Sequence, residues 1–415
     1  MDRPRLRRLL LALLAETPPD PAPYRALPMR AWREVDRMAG MHGLRPLLHL
    51  RNATLAQAGA IPAPIWQGWQ DGRRNAAIRA LVQRRDLLEI QAILTQAGIG
   101  PPVALKGAFL AWYAYDEPAL RVMGDLDLLL CPEQALAAFE ALKAAGYVQQ
   151  KPFELSPADT VLLLKHLPPL ASPQGTLVEL HMRCWPDPTA QAPGPPPRDM
   201  RMRQRARRWR DDDPLLYPES DDMLVHVVVH GAYDFRLNCG PRAMLDCVAM
   251  ADRFPPEWDR FWTMGRDEGW AKGAALLFAL ADRWIRPGLL AQCDCPLPVT
   301  PRVLEAAPDL LLQEPGRSTA AQALADLRRA AASGALLAAL RTRLAGQGIG
   351  GAQAQRAFSG HGGRARWLAG KARSVLSALA SRETQGRARD MNLLRGWLAD
   401  GMVEDEDSPA PTFTL

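Results

Sequence analysis

The sequence predicts an α+β fold, with a small mixed sheet preceded and followed in the chain by helical regions. Three observations lead there. Residues 1–98 carry helix-spaced apolar positions broken by prolines, residues 103–184 switch to short apolar and alternating runs, and helical spacing returns from about Ser220. A period that changes from 3.6 to 2 and back is the trace of a sheet inserted between helices. At 415 residues, 48% hydrophobic and 23% charged, the chain is long and apolar enough to bury such cores. The expected units are an N-terminal helical region (1–98), a core (99–217), a C-terminal helical domain (218–402) and a disordered acidic tail, VEDEDSPAPTFTL (403–415).

The opening MDRPRLRRLLLALLAE has the outline of a signal peptide, but its apolar core runs only from Leu9 to Ala15 before Glu16. It is read as an amphipathic first helix. Proline-rich breaks follow at Thr17 to Pro23 and Ile61 to Pro64, and the spacing of Ile78, Leu81, Leu87, Leu88, Ile90 and Leu94 predicts a helix over 75–96, stopped by Gly98 and Gly100.

In the core, Val103 to Leu105 is a short strand, Gly107 to Tyr115 starts a helix, Asp125 to Cys131 is a strand, and Pro132 to Ala145 is a helix ended by Gly146. Val161–Ala171 and Thr176–Cys184 flank the turn Ser172-Pro173-Gln174-Gly175 and are expected to pair as a hairpin. A four-residue turn sets His166 opposite His181 and Pro168 opposite Glu179, a register that one residue of slip would undo. The stretch 185–197 is a proline-rich connection. The next 13 residues hold seven arginines, expected as a solvated or bridging strand. Helices are expected over 221–233, 241–253, 257–268 and 271–285, then a looser Ala/Leu/Arg-rich region to about 400.

The basic residues are strongly biased, with six Lys (106, 143, 151, 165, 272, 371) against 45 Arg, as a GC-rich bacterial genome would produce. A net charge of +6 admits an anionic partner without demanding one. The six cysteines include no CxxC pair and are expected as free thiols in a reducing cytoplasm. No stretch of ~18 apolar residues is present to span a membrane.

The chemistry concentrates in DLDLLL. Two residues apart on a strand, Asp125 and Asp127 project from one face, with Leu126 and Leu128 on the other. Two adjacent carboxylates need a counter-charge, and a divalent metal supplies one. A turn cap plus an Arg pair is the plain structural alternative. Upstream, Leu105-Lys106-Gly107 joins a strand to a helix, where backbone N–H groups and a mobile ammonium can meet phosphate. Glu179 and His181 share a face in LVELH, opposite Val178 and Leu180, and His166 joins them in the hairpin register. Arg121, four residues before Asp125, could hold the carboxylates or meet a phosphate. His226 and His230 lie at i and i+4; without Glu after the first His they are not a zinc-protease pair, and they either line the cleft or are structural.

LKGAFLAWYAYDEPALRVMGDLDLLL, VELHMR and MLVHVVVHGAYDFRL…RAMLDCVAMADR together resemble the bacterial "nucleotidyltransferase family protein" group, within the polymerase-β-like superfamily. The likeness runs from about residue 30 to 255. It implies a small mixed-sheet polymerase-β-like core flanked by N-terminal helices and a C-terminal helical domain. It also implies that Asp125, Asp127 and Glu179 form a metal-binding, catalytic triad served by Mg²⁺ or Mn²⁺, as two ions. Lys106 and Gly107 stand where the superfamily has a Gly-Ser pair on the triphosphate, so phosphate contact falls to Lys106 and backbone groups, with Arg121 and His181 beside them. Asp246 recurs in the resemblance as a cap, an Arg partner or a cleft residue, with His166, His226 and His230. The expected reaction moves a nucleotidyl group from a nucleoside triphosphate to an acceptor hydroxyl or phosphate, the acceptor being a small molecule, peptide, protein or RNA, in the cytoplasm. Two alternatives use the same carboxylates: transfer from a nucleotide-sugar donor, and nucleotide binding without catalysis. A phosphatase with Asp125 as nucleophile is disfavoured by Leu129 two residues after the second Asp.

Overall fold

The computed structural model describes residues 2–184, 198–332 and 382–399. The proline-rich connection at 185–197, most of the looser stretch before 382 and the acidic tail lie outside the described residues. No helix among the described residues is long and apolar enough to cross a membrane.

The first helix, Arg3–Ala12, is amphipathic as expected. Leu6, Leu10 and Leu11 are buried, and the buried Arg7 is neutralised by Asp309 and Glu383. The Ile61–Pro64 break begins a helix that runs unbroken over Ala63–Gln96, with Pro64 in its first turn, where a missing N–H costs nothing. Its buried face differs from the one that apolar spacing suggested. Leu87, Ile90 and Leu94 point inward, whereas Ile78 and Leu81 are each 63% exposed, and Ala80 and Gln83 take the inward positions in that half. Gln83 donates to the Met123 carbonyl, so the helix is docked there by a polar contact.

The sheet has five strands: β1 (Val103–Ala104), β2 (Asp125–Leu129), β3 (Val148–Gln149), β4 (Leu170–Ala171) and β5 (Leu177–His181), in the order β1-β2-β5-β4-β3. β2 and β5 are parallel and central, and the other pairs are antiparallel, so the sheet is mixed. The parallel pair sets Asp127 beside Glu179 and Leu128 beside Leu180, while Asp125 lies beside Leu177 and His181 beside Leu129.

The hairpin differs from expectation in two ways. Val161–Leu163 belongs to a helix, Pro157–Leu163, capped by the Ser156 hydroxyl on the Asp159 N–H. Near the turn, Ala171 faces Leu177 and Ser172 bonds Thr176, a three-residue loop with Gly175 at φ +85°, a value that favours glycine. Farther along, His166 does face His181, and Leu167 bonds Leu180. The two registers differ by one residue. The extra residue falls at Pro168-Pro169, which have no N–H to give a ladder.

The Arg-rich segment is a helix, Arg198–Arg205, rather than a strand, followed by a bridge from Arg207 to Tyr217. Its arginines are engaged internally: Arg198 and Arg201 with Glu268, Arg203 with the Leu130 carbonyl, Arg205 with Asp222. The later helices follow the expected spans closely, at Ser220–Val228, Arg242–Arg253, Trp258–Asp267 and Ala271–Trp284. The first continues as a π-helix over Val229–Asp234. All six cysteines are free.

Candidate active site

The site grows from the parallel pair. Alternation turns Leu126, Leu128, Val178 and Leu180 into the core and leaves Asp125, Asp127 and Glu179 on the other face. Asp127 is the hub, only 4% exposed. Its Oδ1 accepts from Lys106 Nζ at 3.0 Å and from His181 Nε2 at 2.7 Å. The same His181 nitrogen lies 3.4 Å from Glu179 Oε2, and His166 Nε2 lies 3.8 Å from that oxygen, with the two imidazole centroids 5.1 Å apart.

His181 closes β5, so strand alternation would send it to the carboxylate face along with Glu179. Lys106 arrives by a different device. It sits between β1 and the short helix Gly107–Phe109 with φ 46° and ψ −115°, outside the regions open to most side chains. That strained elbow turns the side chain across β2. Gly107 follows because a Cβ there would lie 2.6 Å from Met123 Cγ. The glycine is thus required by close packing against the β2 approach, apart from any role at phosphate.

The charges interact strongly. Burial pushes the Asp125 carboxyl up, helped by the negative charges of Asp127 and Glu179. Burial also works to raise Asp127, but Lys106 and His181 overcome it and hold that carboxyl well below the usual range. At Glu179 the burial penalty is likewise outweighed, chiefly by the His181 hydrogen bond, and its carboxyl is lowered. Lys106 and His181 are each pulled down by burial and pulled up further by Asp127. Among the described residues Asp125 has no hydrogen-bond or ion-pair partner, and the charges of Lys106 and Arg242 offset its burial and its two acidic neighbours only in part. Ligand atoms of Asp127, Glu179 and His181 all lie within 4.8 Å of one another. A buried acidic and imidazole set of this kind can hold a metal, and Asp125 on the same face, without a bonded partner among the described residues, fits a further positive charge there.

Two more histidines come from the helical region. His226 is buried, its ring 5.9 Å from that of His230. Burial, then the positive charge of Lys106, lowers the basicity of both. The histidine pair therefore lies near enough to feel the charges of Lys106 and Asp127. His230 Nδ1 lies 3.8 Å from Asp234 Oδ2, which pairs with Lys165 Nζ at 2.8 Å.

Arg121 stands elsewhere. Its guanidinium grips Asp246 with two bonds, 2.7 and 2.9 Å, and Tyr115 Oη donates to the same carboxylate at 2.8 Å. This knot fastens the core to the Arg242–Arg253 helix, so Asp246 is an Arg partner here. Spacing arguments missed two neighbours of the site. Asp234 was legible as the i+4 partner of His230. Arg242, at the first position of its helix, donates to the Val122 carbonyl at 3.3 Å and lies near enough to lower Asp125 by its charge. Only the fold brings it there.

A family model described as "Uncharacterised nucleotidyltransferase" matches residues 28–286, well over half of the chain. No curated protein and no solved structure matches the sequence.

Proposed function

The chain belongs to this family of uncharacterised nucleotidyltransferases, and from that premise we propose that it transfers a nucleotidyl group from a nucleoside triphosphate to an acceptor hydroxyl or phosphate, dependent on Mg²⁺ or Mn²⁺. The observation that supports this most is the in-register pairing of Asp127 with Glu179 on parallel strands, with Asp125 and His181 on the same face. Asp125, Asp127 and Glu179 would hold the metal, with His181 at the edge of the set. A bound divalent ion supplies charge neutralisation for the triphosphate and lowers the pKa of a coordinated acceptor oxygen.

The chain's own residues provide the rest. His181 fixes the Asp127 carboxylate by its 2.7 Å bond, a positioning role. Lys106, now on Asp127, is the mobile cation placed to meet donor phosphates. Glu179 has the other carboxylate oriented by imidazoles and is assigned to the acceptor's proton or to the acceptor-side metal. Phosphoryl chemistry asks chiefly for positioning and charge stabilisation, which these groups supply.

The test is mass spectrometry of products after incubating the protein with each nucleoside triphosphate, Mg²⁺ or Mn²⁺ and a cell extract. A mass increase by a nucleoside monophosphate, with pyrophosphate release, is expected in the parent and absent in Asp127→Asn. A sugar mass instead, or nucleotide binding with no pyrophosphate under any condition, would reject the reading.

A further inference from the structure

Just beyond His230 and Asp234 the chain builds a concentration of arginines that the transfer chemistry does not use. Arg236 follows the π-helix in a loop where both it and Leu237 have positive φ, 48° and 66°. The buried Leu237 anchors this loop by its N–H bond to the Gly231 carbonyl at 2.8 Å. Arg236 itself is half-buried and has no hydrogen bond or ion pair among the described residues. It is close enough to Arg395, Asp326, Arg329 and Asp234 to feel their charges. Burial, then the repulsion of Arg395, pulls its guanidinium down to about 10, still protonated at neutral pH.

Arg395 comes from the Arg382–Ala399 helix. Its side chain is only 6% exposed, and Nη1 donates to Asp326 Oδ1 at 2.6 Å. Its Nε and Nη2 are buried without a hydrogen-bond partner among the described residues. Those two atoms form one edge of the guanidinium, the edge that takes two oxygens of a phosphate or carboxylate side by side. Arg329 shares the same Asp326, at 3.6 Å. Two guanidinium groups thus pair with one carboxylate, and Arg236 lies near enough to feel the same charges, with Asp234 already paired to Lys165. An arginine cannot shed its proton to escape such a place, so the empty protein carries the cost and an anion relieves it.

We propose that Arg236, Arg395 and Arg329 form a binding site for a phosphate or carboxylate group of the acceptor. Assignment to the acceptor rests on the transferase reading, and on where the residues lie in the chain. The carboxylates, Lys106 and Arg236 fall within the family match at 28–286, whereas Asp326, Arg329 and Arg395 lie after it. Chemistry common to the family sits inside the match. A site completed by residues beyond it suits the partner that differs from one member to another. Arg236, with no hydrogen bond or ion pair among the described residues, can turn aside to admit the group and then close on it.

The test is calorimetric titration of the full chain with inorganic phosphate and, separately, with succinate, at fixed ionic strength and without divalent metal. Phosphate binding assigns a phosphorylated acceptor, and succinate binding a carboxylated one; either supports the site. Arg236→Gln should weaken the bound anion about tenfold or more, the weight of a charge-assisted contact, and Arg395→Met should do the same. Because the Arg236 side chain makes no hydrogen bond or ion pair among the described residues, its variant should fold even if Arg395→Met does not. Binding of neither anion, or binding unchanged by Arg236→Gln, overturns the proposal. Asp127→Asn and Lys106→Ala should leave anion binding as it is. If Lys106→Ala alone abolishes it, the anion sits at the carboxylate cluster and the site is refuted with the transferase reading intact. Anion binding at the arginines without nucleotidyl transfer by the parent would instead refute the transferase reading and leave the site standing.

Discussion

Lys106→Met tests whether the lysine stands where a metal's charge would act. Lys106 Nζ and His181 Nε2 both bond Asp127 Oδ1, a carboxylate 4% exposed. Removing one partner from a buried ion pair costs about 3–5 kcal/mol when nothing else remains. Here His181 remains, so a single charge-assisted bond, about 2–3 kcal/mol, is the reasonable loss. A chain of 415 residues has an unfolding entropy of roughly 0.9 kcal/mol/K, so the metal-free variant should melt about 2–4 °C below the parent. A saturating divalent ion should recover this. On the proposed reading the ion would compete with Lys106 for Asp127 in the parent, and part of its binding energy would go to displacing that contact. The variant has no contact to lose, so Mn²⁺ should raise its melting temperature about 2–4 °C more than it raises the parent's. Differential scanning fluorimetry over a Mn²⁺ series, with Ca²⁺ and high salt as controls, reads this directly. Equal shifts in both proteins would show that lysine and metal do not share Asp127, and the site as drawn would be wrong.

Three other perturbations separate its parts. Glu179→Gln keeps shape and removes charge, so nucleotide affinity should survive while turnover falls by roughly 10²–10⁴, the usual weight of a general base, in a steady-state assay of pyrophosphate release; unchanged turnover would leave Glu179 a structural partner of His181. Asp246→Asn breaks the two-pronged Arg121 contact and should lower stability by about 3–5 kcal/mol in urea unfolding, with loss of activity following stability rather than preceding it. His42 is held down to about 4 by burial and by Arg242. The folded chain favours its neutral form, so its contribution is whole above about pH 6.5 and is lost as pH falls toward 4, by about 2–3 kcal/mol at pH 4.5; His42→Leu should remove that part of the acid sensitivity, and identical pH slopes in variant and parent would contradict it.

What was legible in the sequence follows from what each signal encodes. Alternation in DLDLLL and LVELH is a local property, so Asp125 with Asp127, and Glu179 with His181, could each be set on one strand face; that the two faces coincide was implied by the family resemblance alone, and it follows from the pairing of β2 with β5. Helices with a clear 3.6 period were legible for the same reason. Turn length was less so. Counting outward from Ser172–Gly175 gave the right partner for His181 and the wrong one for Ala171, because a proline pair absorbs a residue between them. The Arg run was misread as a strand because charge says little about period. Its alternating arginines reach carboxylates and a carbonyl on separate elements, which no local rule reports.

Arg121 shows where proximity in sequence misleads. Four residues before Asp125, it is placed in sequence where it could hold the carboxylates or meet a phosphate. Yet residues Val122–Gly124 carry the chain away from a guanidinium locked on Asp246, 125 positions later. The cation that does reach Asp127 is Lys106, 21 positions earlier, delivered by a strained elbow and a glycine that exists to clear Met123. In this arrangement the basic group at the carboxylates is the flexible, strongly hydrated lysine, and the rigid bidentate arginine is kept for the joint between core and helices. A lysine can exchange its carboxylate for a phosphate at little geometric cost, whereas a two-pronged arginine cannot. The division suits a site whose charges must be regrouped when a nucleotide enters, held on a frame that must not move.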